Sequence, residues 1–275
     1  MGKMNVAGIL VVAFLLLRVP VPPVSANSQS GRTLDGLQVL YDFRSDQGNQ
    51  VLDQAKVGKP INLRISNPKA VHRSQGSLEV RGKTQIESTQ AASRLINAVK
   101  RSGELTIEVW IKPSSLSLTG PARIVTLSRN STDRSFTLGQ DGDRYDVRFR
   151  TTTTNSNGLP SVSTKKKSLT SKLTHLVYTR ERSGRTRIYL DGKRQVEGKV
   201  SGSTSKWSTD FKLALANEFN GGRLWKGTYY LVALYDRDLT PSEIRRHFDA
   251  GPNSPASAVA KQREPKQSAG ERLFV

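Results

Sequence analysis

The sequence has 275 residues, of which 35% are hydrophobic and 24% are charged, and it contains no cysteine. Disulfide bonds, thiolate metal ligands and cysteine-based catalysis are therefore excluded, and the length suits one all-β domain of about 200–250 residues with flanking segments. The formal net charge of +20 indicates an acidic partner, such as an anionic polysaccharide, a lipid headgroup or an acidic protein. Solubility alone is the alternative explanation of that charge.

The first 26 residues have the pattern of a secretory signal peptide. Lys3 precedes an apolar stretch at residues 6–17, and small residues at 24–26 offer a cleavage site. The stretch is shorter than the roughly 20 residues that span a bilayer, so an uncleaved anchor is the less favoured alternative. We therefore expect an exported protein that is periplasmic, on the cell surface or secreted. Nucleic acid is not an expected partner, and a membrane is expected only through an uncleaved signal.

Three further segments follow the signal peptide. Residues 27–34 are polar and predict a linker, and the patterned region at residues 35–251 predicts one domain. Residues 252–275 follow Gly251 and Pro252, lack a sustained apolar period and predict a disordered basic tail.

Within the patterned region, apolar side chains recur at every second residue. The alternation is clearest at residues 105–111, 144–150 and 185–190, where it predicts β-strands with one face towards a core. Asp191 and Gly192 lie between two such strands and predict a tight hairpin, because both residue types tolerate positive φ.

Helices are few. Thr240, Pro241 and Glu243 form the signature of a helix N-terminus with a capping box, and Gly251 ends that segment. Residues 89–100 predict either a second short helix or a loop. Many short strands with frequent turns predict a β-sandwich or jelly roll.

A series of short motifs follows one another along the patterned region: LYDF (40–43), VLD (51–53), SLEV (77–80), LTIEVWIKP (105–113), ARIVTL (122–127), FTLG (136–139), LTHLVYT (173–179), IYLDGK (188–193) and LVALYDRDLTPSEI (231–244). In these motifs and their order, from about residue 37 to residue 251, the sequence resembles bacterial laminin-G-like, concanavalin A-like jelly-roll domains. Residues 173–179 depart from the family's pattern, because the usual Trp is missing and only His175 keeps its place. The resemblance implies two antiparallel sheets with one short C-terminal helix. It also implies a mostly non-catalytic module that binds glycans or proteins.

Some retaining endoglucanases of this fold carry a Glu-x-Asp-x-Glu strand, and Glu104 and Glu108 have the same outer spacing. Thr106 replaces the middle Asp, so the group that orients the nucleophile is missing. Along a strand the two Cα atoms lie about 13 Å apart, whereas a retaining pair needs carboxyl groups about 5–5.5 Å apart. We therefore expect no enzyme activity and expect Glu108 to be an ordinary outward residue. A glycoside hydrolase that uses this pair is the alternative.

A calcium site is a further implication of the resemblance, because such domains often hold Ca²⁺ in rim loops. Asp53 follows the first strand, where some relatives place a ligand, and Ca²⁺ prefers oxygen ligands. Ordinary turn chemistry is the alternative role of this carboxylate.

Arginines on the strands are the candidate ligand contacts. Arg148 and Arg150 are predicted on the outer face of one strand, and Arg185 and Arg187 on a solvent face of another, which they share with Tyr189. If those faces adjoin, the four guanidinium groups form an array suited to sulfate, carboxylate or phosphate. A solvated face without a partner is the alternative.

Four aromatic residues, Trp207, Trp225, Tyr229 and Tyr230, are predicted either to stack on sugar rings or to belong to the core. We therefore expect an exported, non-catalytic module that binds a glycan, with anionic polysaccharide as one class, or another cell-surface component. A protein-interaction module of an envelope complex is the remaining alternative.

Overall fold

The structure is a computed structural model that describes residues 31–45 and 48–254, together with the backbone of residues 256–257. The predicted signal peptide, residues 27–30 of the predicted linker and most of the predicted tail lie outside the described residues. Within the described ranges, no helix is long and apolar enough to span a membrane.

The described residues form two α-helices and a series of mostly short strands. The helices are α1 (Ser93–Ser102) and α2 (Pro241–Ala250), and a 3-10 turn lies at Pro68–Ala70. The strands are β1 (Arg32–Thr33), β2 (Leu37–Tyr41), β3 (Gln50–Val51), β4 (Leu63–Ile65), β5 (Val71–Ser74), β6 (Ser77–Val80), β7 (Ile86–Ser88), β8 (Leu105–Pro113), β9 (Ala122–Ser128), β10 (Arg134–Asp141), β11 (Arg144–Phe149), β12 (Val162–Ser163), β13 (Thr174–Arg180), β14 (Arg185–Leu190), β15 (Lys193–Lys199), β16 (Lys212–Leu215), β17 (Gly227–Tyr235) and β18 (Ala256–Ser257).

The strands build two antiparallel sheets. The first sheet has the order β12-β11-β10-β9-β16-β7-β4-β3, and the second has the order β15-β14-β13-β8-β17-β6-β5, with β2 also paired to β17. A separate parallel pair joins β1 to β18. The predicted sandwich of two antiparallel sheets with a short C-terminal helix is confirmed.

The main core lies between the two sheets. Leu105, Ile107, Val109 and Ile111 of β8 are fully buried in it, as the two-residue period predicts. Trp207, Trp225 and Tyr229 are buried in the same core, so the core interpretation of these three aromatic residues is confirmed. Tyr230 is only partly buried and packs against a second, smaller core.

The second core lies on the outer face of the second sheet, under α2. Helix α2 begins as predicted, because the Thr240 side chain accepts from the Glu243 backbone N–H and the Glu243 side chain accepts from the Thr240 backbone. Ile244 is buried beneath the helix, where Trp110 and Tyr189 of the sheet also lie. The predicted solvent exposure of Tyr189 is therefore wrong, since this part of the outer face is covered.

Two other local predictions have clear outcomes. Asp191 and Gly192 have φ values of 50° and 72°, as the tight hairpin between β14 and β15 requires. The segment 89–100 was predicted as a helix or a loop, and it contains most of α1 (Ser93–Ser102). Gly103 follows the helix in a left-handed backbone conformation and caps its C-terminus.

The folded part extends beyond the predicted boundaries of the domain. Arg32 and Thr33 lie within the predicted linker, yet they form β1 and are buried. Ala256 and Ser257 lie within the predicted tail and pair with them. The reason for this extension is the buried group that Arg32 contacts.

Candidate functional site

That buried group is the carboxylate of Glu108, on the outer face of β8. Arg32 donates to Glu108 Oε1 from Nη2 at 2.8 Å, and its Nε lies 3.2 Å from the same oxygen. His175 on β13 and His247 on α2 contact the two carboxylate oxygens at 3.0 Å each, and the Tyr235 hydroxyl donates to Oε2 at 3.4 Å. Both histidines and Glu108 are 0% exposed.

These partners keep Glu108 ionised. Burial alone would raise the pKa of the Glu108 carboxyl, but the Arg32 charge and the hydrogen bonds from His175 and His247 hold that pKa well below its usual range. Burial lowers the pKa of His175 and outweighs the opposing effect of Glu108. The arrangement is an Arg–Glu ion pair with two imidazole donors, enclosed between the sheet and α2.

The hydrogen bonds also define which ring nitrogen of His247 donates to Glu108. His247 Nε2 accepts from the backbone N–H of Thr33 at 3.0 Å, so its Nδ1–H is the group that donates to Glu108. The His175 ring stacks on Trp110 with ring centroids 4.8 Å apart. These contacts place both histidines in the fold's interior, where they fasten α2 and β1 to the second sheet.

This environment does not suit the alternative hydrolase. Glu108 was expected to be an ordinary outward residue, and it does point away from the main core, but it is sealed beneath α2. Glu104 precedes β8, and its side chain accepts from the Asp238 backbone N–H at 3.3 Å. A glycosidase acid or nucleophile must contact both water and substrate, and Glu108 has no exposed surface.

The residues around Asp53 do not fit a calcium site. Its Oδ1 accepts from the backbone N–H groups of Leu40 and Ala55, and its Oδ2 accepts from the Ile61 N–H and from Arg94. These four donors use the acceptor positions that a carboxylate offers. Among the described residues, no group of three or more His, Asp or Glu is placed to hold a metal ion. Asp53 instead connects β2 to the segment that contains Ala55 and Ile61.

The four predicted anion contacts do not form one array. Arg148 lies on β11 and Arg150 directly after it, in the first sheet, whereas Arg185 and Arg187 lie on β14 in the second sheet. The condition that the two faces adjoin is therefore not met. A role of each arginine in binding stays a prediction.

Three of the four arginines are held by nearby carboxylates. Arg150 pairs with Asp133 at 2.7 Å, and both Arg185 and Arg187 pair with Glu181 at 2.8 Å. The ion pair of Arg148 is longer, 3.4 Å from Nε to Asp146 Oδ1. Of the predicted set, Arg148 is the one whose charge is least compensated.

The outer face of the first sheet carries an open groove of about 330 Å³, a volume at the lower end of small-molecule sites. Lys212, Ser128 and Glu87 line its floor, on β16, β9 and β7. Lys212 lies between the core residues Phe211 and Leu213, so strand alternation directs it away from the core. Ser128 is its register partner on β9, and Glu87 pairs with Ala214, two residues further along β16, so both lie on the same face. The walls come from loops and contribute Gln85, Arg129, Asp210, Phe211 and Phe219.

The groove combines several kinds of contact. Lys212 pairs with Glu87 at 3.3 Å, and Arg129 pairs with Asp210 at the same distance, in both cases with partly exposed side chains. Phe219 is half-buried, and the Arg129 guanidinium lies over the Phe211 ring. Donors, acceptors and aromatic surface therefore face one open space, as a ligand with many hydroxyl groups requires.

The loop at residues 217–223 forms one wall of the groove. Glu218 is fully buried, and its carboxylate accepts from Ser128 Oγ at 2.6 Å and from Arg123 Nε at 3.0 Å. The loop closes on itself through hydrogen bonds between Glu218 and both Gly221 and Gly222. Glu218 thus fixes Phe219 at the rim of the groove.

Sequence reasoning missed the groove, although one part of it was readable. The alternation of Phe211, Leu213 and Leu215 places Lys212 on the outer face. Nothing in one sequence indicates that β16 lies between β9 and β7, and this order is what brings Lys212 to Ser128 and Glu87.

Comparisons with known proteins agree with this architecture. Residues 85–245 match the family model Laminin_G_3, described as the concanavalin A-like lectin/glucanases superfamily. A comparison with curated proteins gives no match.

Solved structures show the same fold. The binding domain of botulinum neurotoxin DC in complex with rat synaptotagmin II has a TM-score of 0.59 and 14% identity, over 79% of this chain and 52% of that one. Botulinum neurotoxin type C, whose cell entry is described as dependent upon interaction with two ganglioside molecules, gives the same values. Trypanosoma rangeli sialidase in complex with sialic acid has a TM-score of 0.56 and 16% identity, over 78% and 32%.

The chain spans about half the length of the toxin chains and a third of the sialidase chain. At these identities the likeness shows the fold alone. The family match covers more than half of the chain, and the protein therefore belongs to the concanavalin A-like lectin/glucanases superfamily.

Proposed function

We propose that this protein is a non-catalytic glycan-binding module whose ligand occupies the groove on the outer face of the first sheet. The observation that carries the proposal is the groove itself, where Lys212, Glu87 and Arg129 present charged hydrogen-bonding groups beside the half-buried ring of Phe219. A sugar offers hydroxyl groups for the charged side chains and an apolar ring face for the aromatic one.

The comparisons give this proposal coarse support. Structures of similar fold were obtained with sialic acid or concern ganglioside interaction, and the family unites lectins with glucanases. The non-catalytic part of the proposal is supported by Glu108, because the one carboxylate pair with glucanase-like spacing has a buried member.

Export is part of the proposal, and its support is the sequence of the first 26 residues. N-terminal sequencing of the mature protein after fractionation of the producing cells tests it. A start at Asn27 in the exported fraction is the expected result. A chain that keeps Met1 and stays in the cytosol contradicts this part.

The glycan experiment measures retention of the purified protein on neutral, uronic and sulfated polysaccharides, with released reducing ends assayed in each supernatant. We expect retention on at least one polymer without cleavage. Phe219→Ala should lower the affinity about tenfold, because aromatic contacts at the centre of a site carry a large share of binding energy.

Leu173→Ala is the matched control, since Leu173 is also an exposed apolar residue but lies outside the groove. Equal losses in the two variants would show that the groove is not the site. Released sugar would overturn the non-catalytic part. Retention on no polymer would favour a protein-interaction module instead.

A further inference from the structure

A second cluster of charged side chains lies on the outer face of the first sheet. Its members are Arg123, Arg134, Arg148 and Arg223, here called the arginine cluster. Arg123 adjoins the loop at residues 217–223 through its bond to Glu218, while Ser128 meets the same carboxylate from the groove. The arginine cluster is therefore a neighbour of the groove but does not line it.

Two members are buried and fixed. Arg123 donates from Nη1 to the Pro121 carbonyl at 2.6 Å and from Nε to Glu218. Arg134 donates from Nη1 to Thr137 Oγ1 at 2.9 Å and from Nη2 to the Ser131 carbonyl. Both residues are 0% exposed, and the Nε of Arg134 has no hydrogen-bond partner among the described residues.

The other two members reach the surface. Arg148 on β11 is the register partner of Thr137 on β10, and its side chain is 19% exposed. Its Nη1 donates to Asn157 Oδ1 at 3.1 Å. Arg223 is exposed, and its guanidinium has no hydrogen bond or ion pair with any described residue. Asp141, which accepts from the Gly120 N–H, pairs with Arg144 at 3.3 Å.

The position of Arg223 is constrained although its charge is unpaired. Its φ of 58° is unusual for a residue with a side chain, and such a conformation persists only where the surroundings fix it. The guanidinium packs on the backbone of Gly120, and a Cβ at residue 120 would overlap it. Gly120 thus leaves the space that the Arg223 side chain fills.

The cluster holds more positive charge than the protein neutralises. Four guanidinium groups face two carboxylates, Glu218 on Arg123 and Asp146 on Arg148. Burial, followed by the charge of Arg123 and those of Arg148 and Arg223, lowers the pKa of Arg134 to about 9. A buried cation whose neighbours disfavour its charge is stabilised by any anion that binds beside it.

We infer that Arg148 and Arg223 form an anion subsite that binds the carboxylate or sulfate group of an acidic glycan, with Arg123 and Arg134 supplying a positive potential behind it. Guanidinium groups suit this role because their planar donor pairs match carboxylate and sulfate oxygens. The inference rests on the proposed function for its ligand class, but it concerns a different set of residues from the groove.

The test compares variants of the purified protein on polygalacturonate, heparin and dextran at about 0.15 M salt. We expect Arg223→Ala to lower the affinity for the acidic polymers about tenfold or more, as the loss of a charged hydrogen bond predicts, and to leave dextran binding unchanged.

Arg101→Ala is the matched control, since it removes one exposed arginine from α1, outside both the arginine cluster and the groove. A clearly larger loss for Arg223→Ala supports the subsite. Equal losses for Arg223→Ala and Arg101→Ala would reflect net charge alone and would overturn it. Heparin and polygalacturonate separate a preference for sulfate from one for carboxylate.

A second measurement separates the failure of the subsite from the failure of the proposed function. NMR signals of the arginine Nε–H groups are followed while glucuronate, inorganic sulfate or glucose is added. Shifts of Arg148 and Arg223 with the anions but not with glucose support the subsite even if no polymer is retained. A Kd of about 1 mM, which corresponds to about 4 kcal/mol, would give nearly complete shifts at about 50 mM anion. If those signals do not move with either anion up to about 50 mM, the subsite is wrong, whatever the groove binds.

Discussion

The two sheets of this sandwich use their outer faces differently, although both carry a fully buried Arg–Glu pair. On the second sheet, Arg32 and Glu108 lie beneath α2, with both histidines completing the hydrogen bonds of the carboxylate. On the first sheet, Arg123 pairs with Glu218 of the loop at residues 217–223, beside three further arginines and an open groove. A buried pair alone therefore does not distinguish a structural cluster from a binding face.

The difference lies in how well each pair is compensated. Around Glu108 the positive charge of Arg32 meets one carboxylate, and neutral donors fill the remaining acceptor positions. Around Glu218 the arginines outnumber the carboxylates, and the exposed Arg223 side chain has no hydrogen bond or ion pair with a described residue. A balanced ion pair beneath a covering helix indicates a role in stability, although Arg32 Nη1 and His175 Nδ1 have no hydrogen-bond partner among the described residues. Surplus charge beside an open surface indicates a ligand instead.

The largest expected effect follows from removing the centre of the covered cluster. Glu108→Ala leaves Arg32 buried without its counter-charge, and both histidines lose their acceptor. We expect the free energy of unfolding to fall by about 3–5 kcal/mol, the usual cost of breaking a buried pair from one side. Denaturant unfolding followed by fluorescence measures it.

Glu87→Ala is the control on the other sheet, because it breaks the partly exposed pair with Lys212. Its expected cost is below about 1 kcal/mol. Similar costs for Glu108→Ala and Glu87→Ala would break the comparison between the covered and the open face.

The covered cluster should also make stability depend on pH. The folded-state pKa of His175 lies below its unfolded value of about 6.5, so the unfolded chain binds the proton more readily. Stability is then full above about pH 6.5 and falls as the pH drops towards the folded pKa. The slope is at most about 1.4 kcal/mol per pH unit for this one group.

Glu108 adds a second decrease at lower pH. Its folded-state pKa lies well below the unfolded value of about 4.3, so its contribution is present above that pH and is lost below it. His175→Gln keeps a donor for Glu108 and should remove only the decrease that starts near pH 6.5. His72→Gln, at an exposed position on β5, is the control. If the free energy of unfolding of His175→Gln depends on pH as in the unmodified protein, His175 is not the origin of the decrease near pH 6.5.

The sequence predicts the strands of both sheets better than it predicts which elements lie over their outer faces. Residues 105–111 show their two-residue period directly, and the capping box at Thr240 and the hairpin at Asp191 are local patterns. Local patterns depend on neighbours in sequence, and these neighbours can be read from one chain.

The candidate sites depend on distant neighbours instead. Glu108 lies 76 residues from Arg32, 67 from His175 and 139 from His247, so its burial has no local signature. Arg223 was absent from the predicted contacts for the same reason, because its position follows from the loop that Glu218 anchors. Arg148 was predicted correctly to lie on an outer face, but Arg185 and Arg187, two of its expected partners, lie on the other sheet.

A smaller effect is expected from loosening the cover itself. Thr240→Ala removes the side chain that caps α2 and should cost about 1 kcal/mol, while Thr240→Ser retains the hydroxyl and should cost less. Hydrogen exchange of the α2 amides should quicken in Thr240→Ala. If exchange quickens equally in both variants, the capping hydroxyl is not what holds the start of the helix.

The smallest effect on stability is expected in the groove. Lys212 is 39% exposed in its pair with Glu87, so Lys212→Ala should change the free energy of unfolding by no more than about 0.5 kcal/mol. The same variant should weaken glycan retention, because it removes a donor from the floor of the groove. A loss of stability above about 1 kcal/mol, or unchanged retention, would contradict the assignment of this face to binding. Lys212→Ala should thus lose binding and keep its stability. Glu108→Ala should show the reverse, because it lowers the free energy of unfolding and leaves the residues of the groove unchanged.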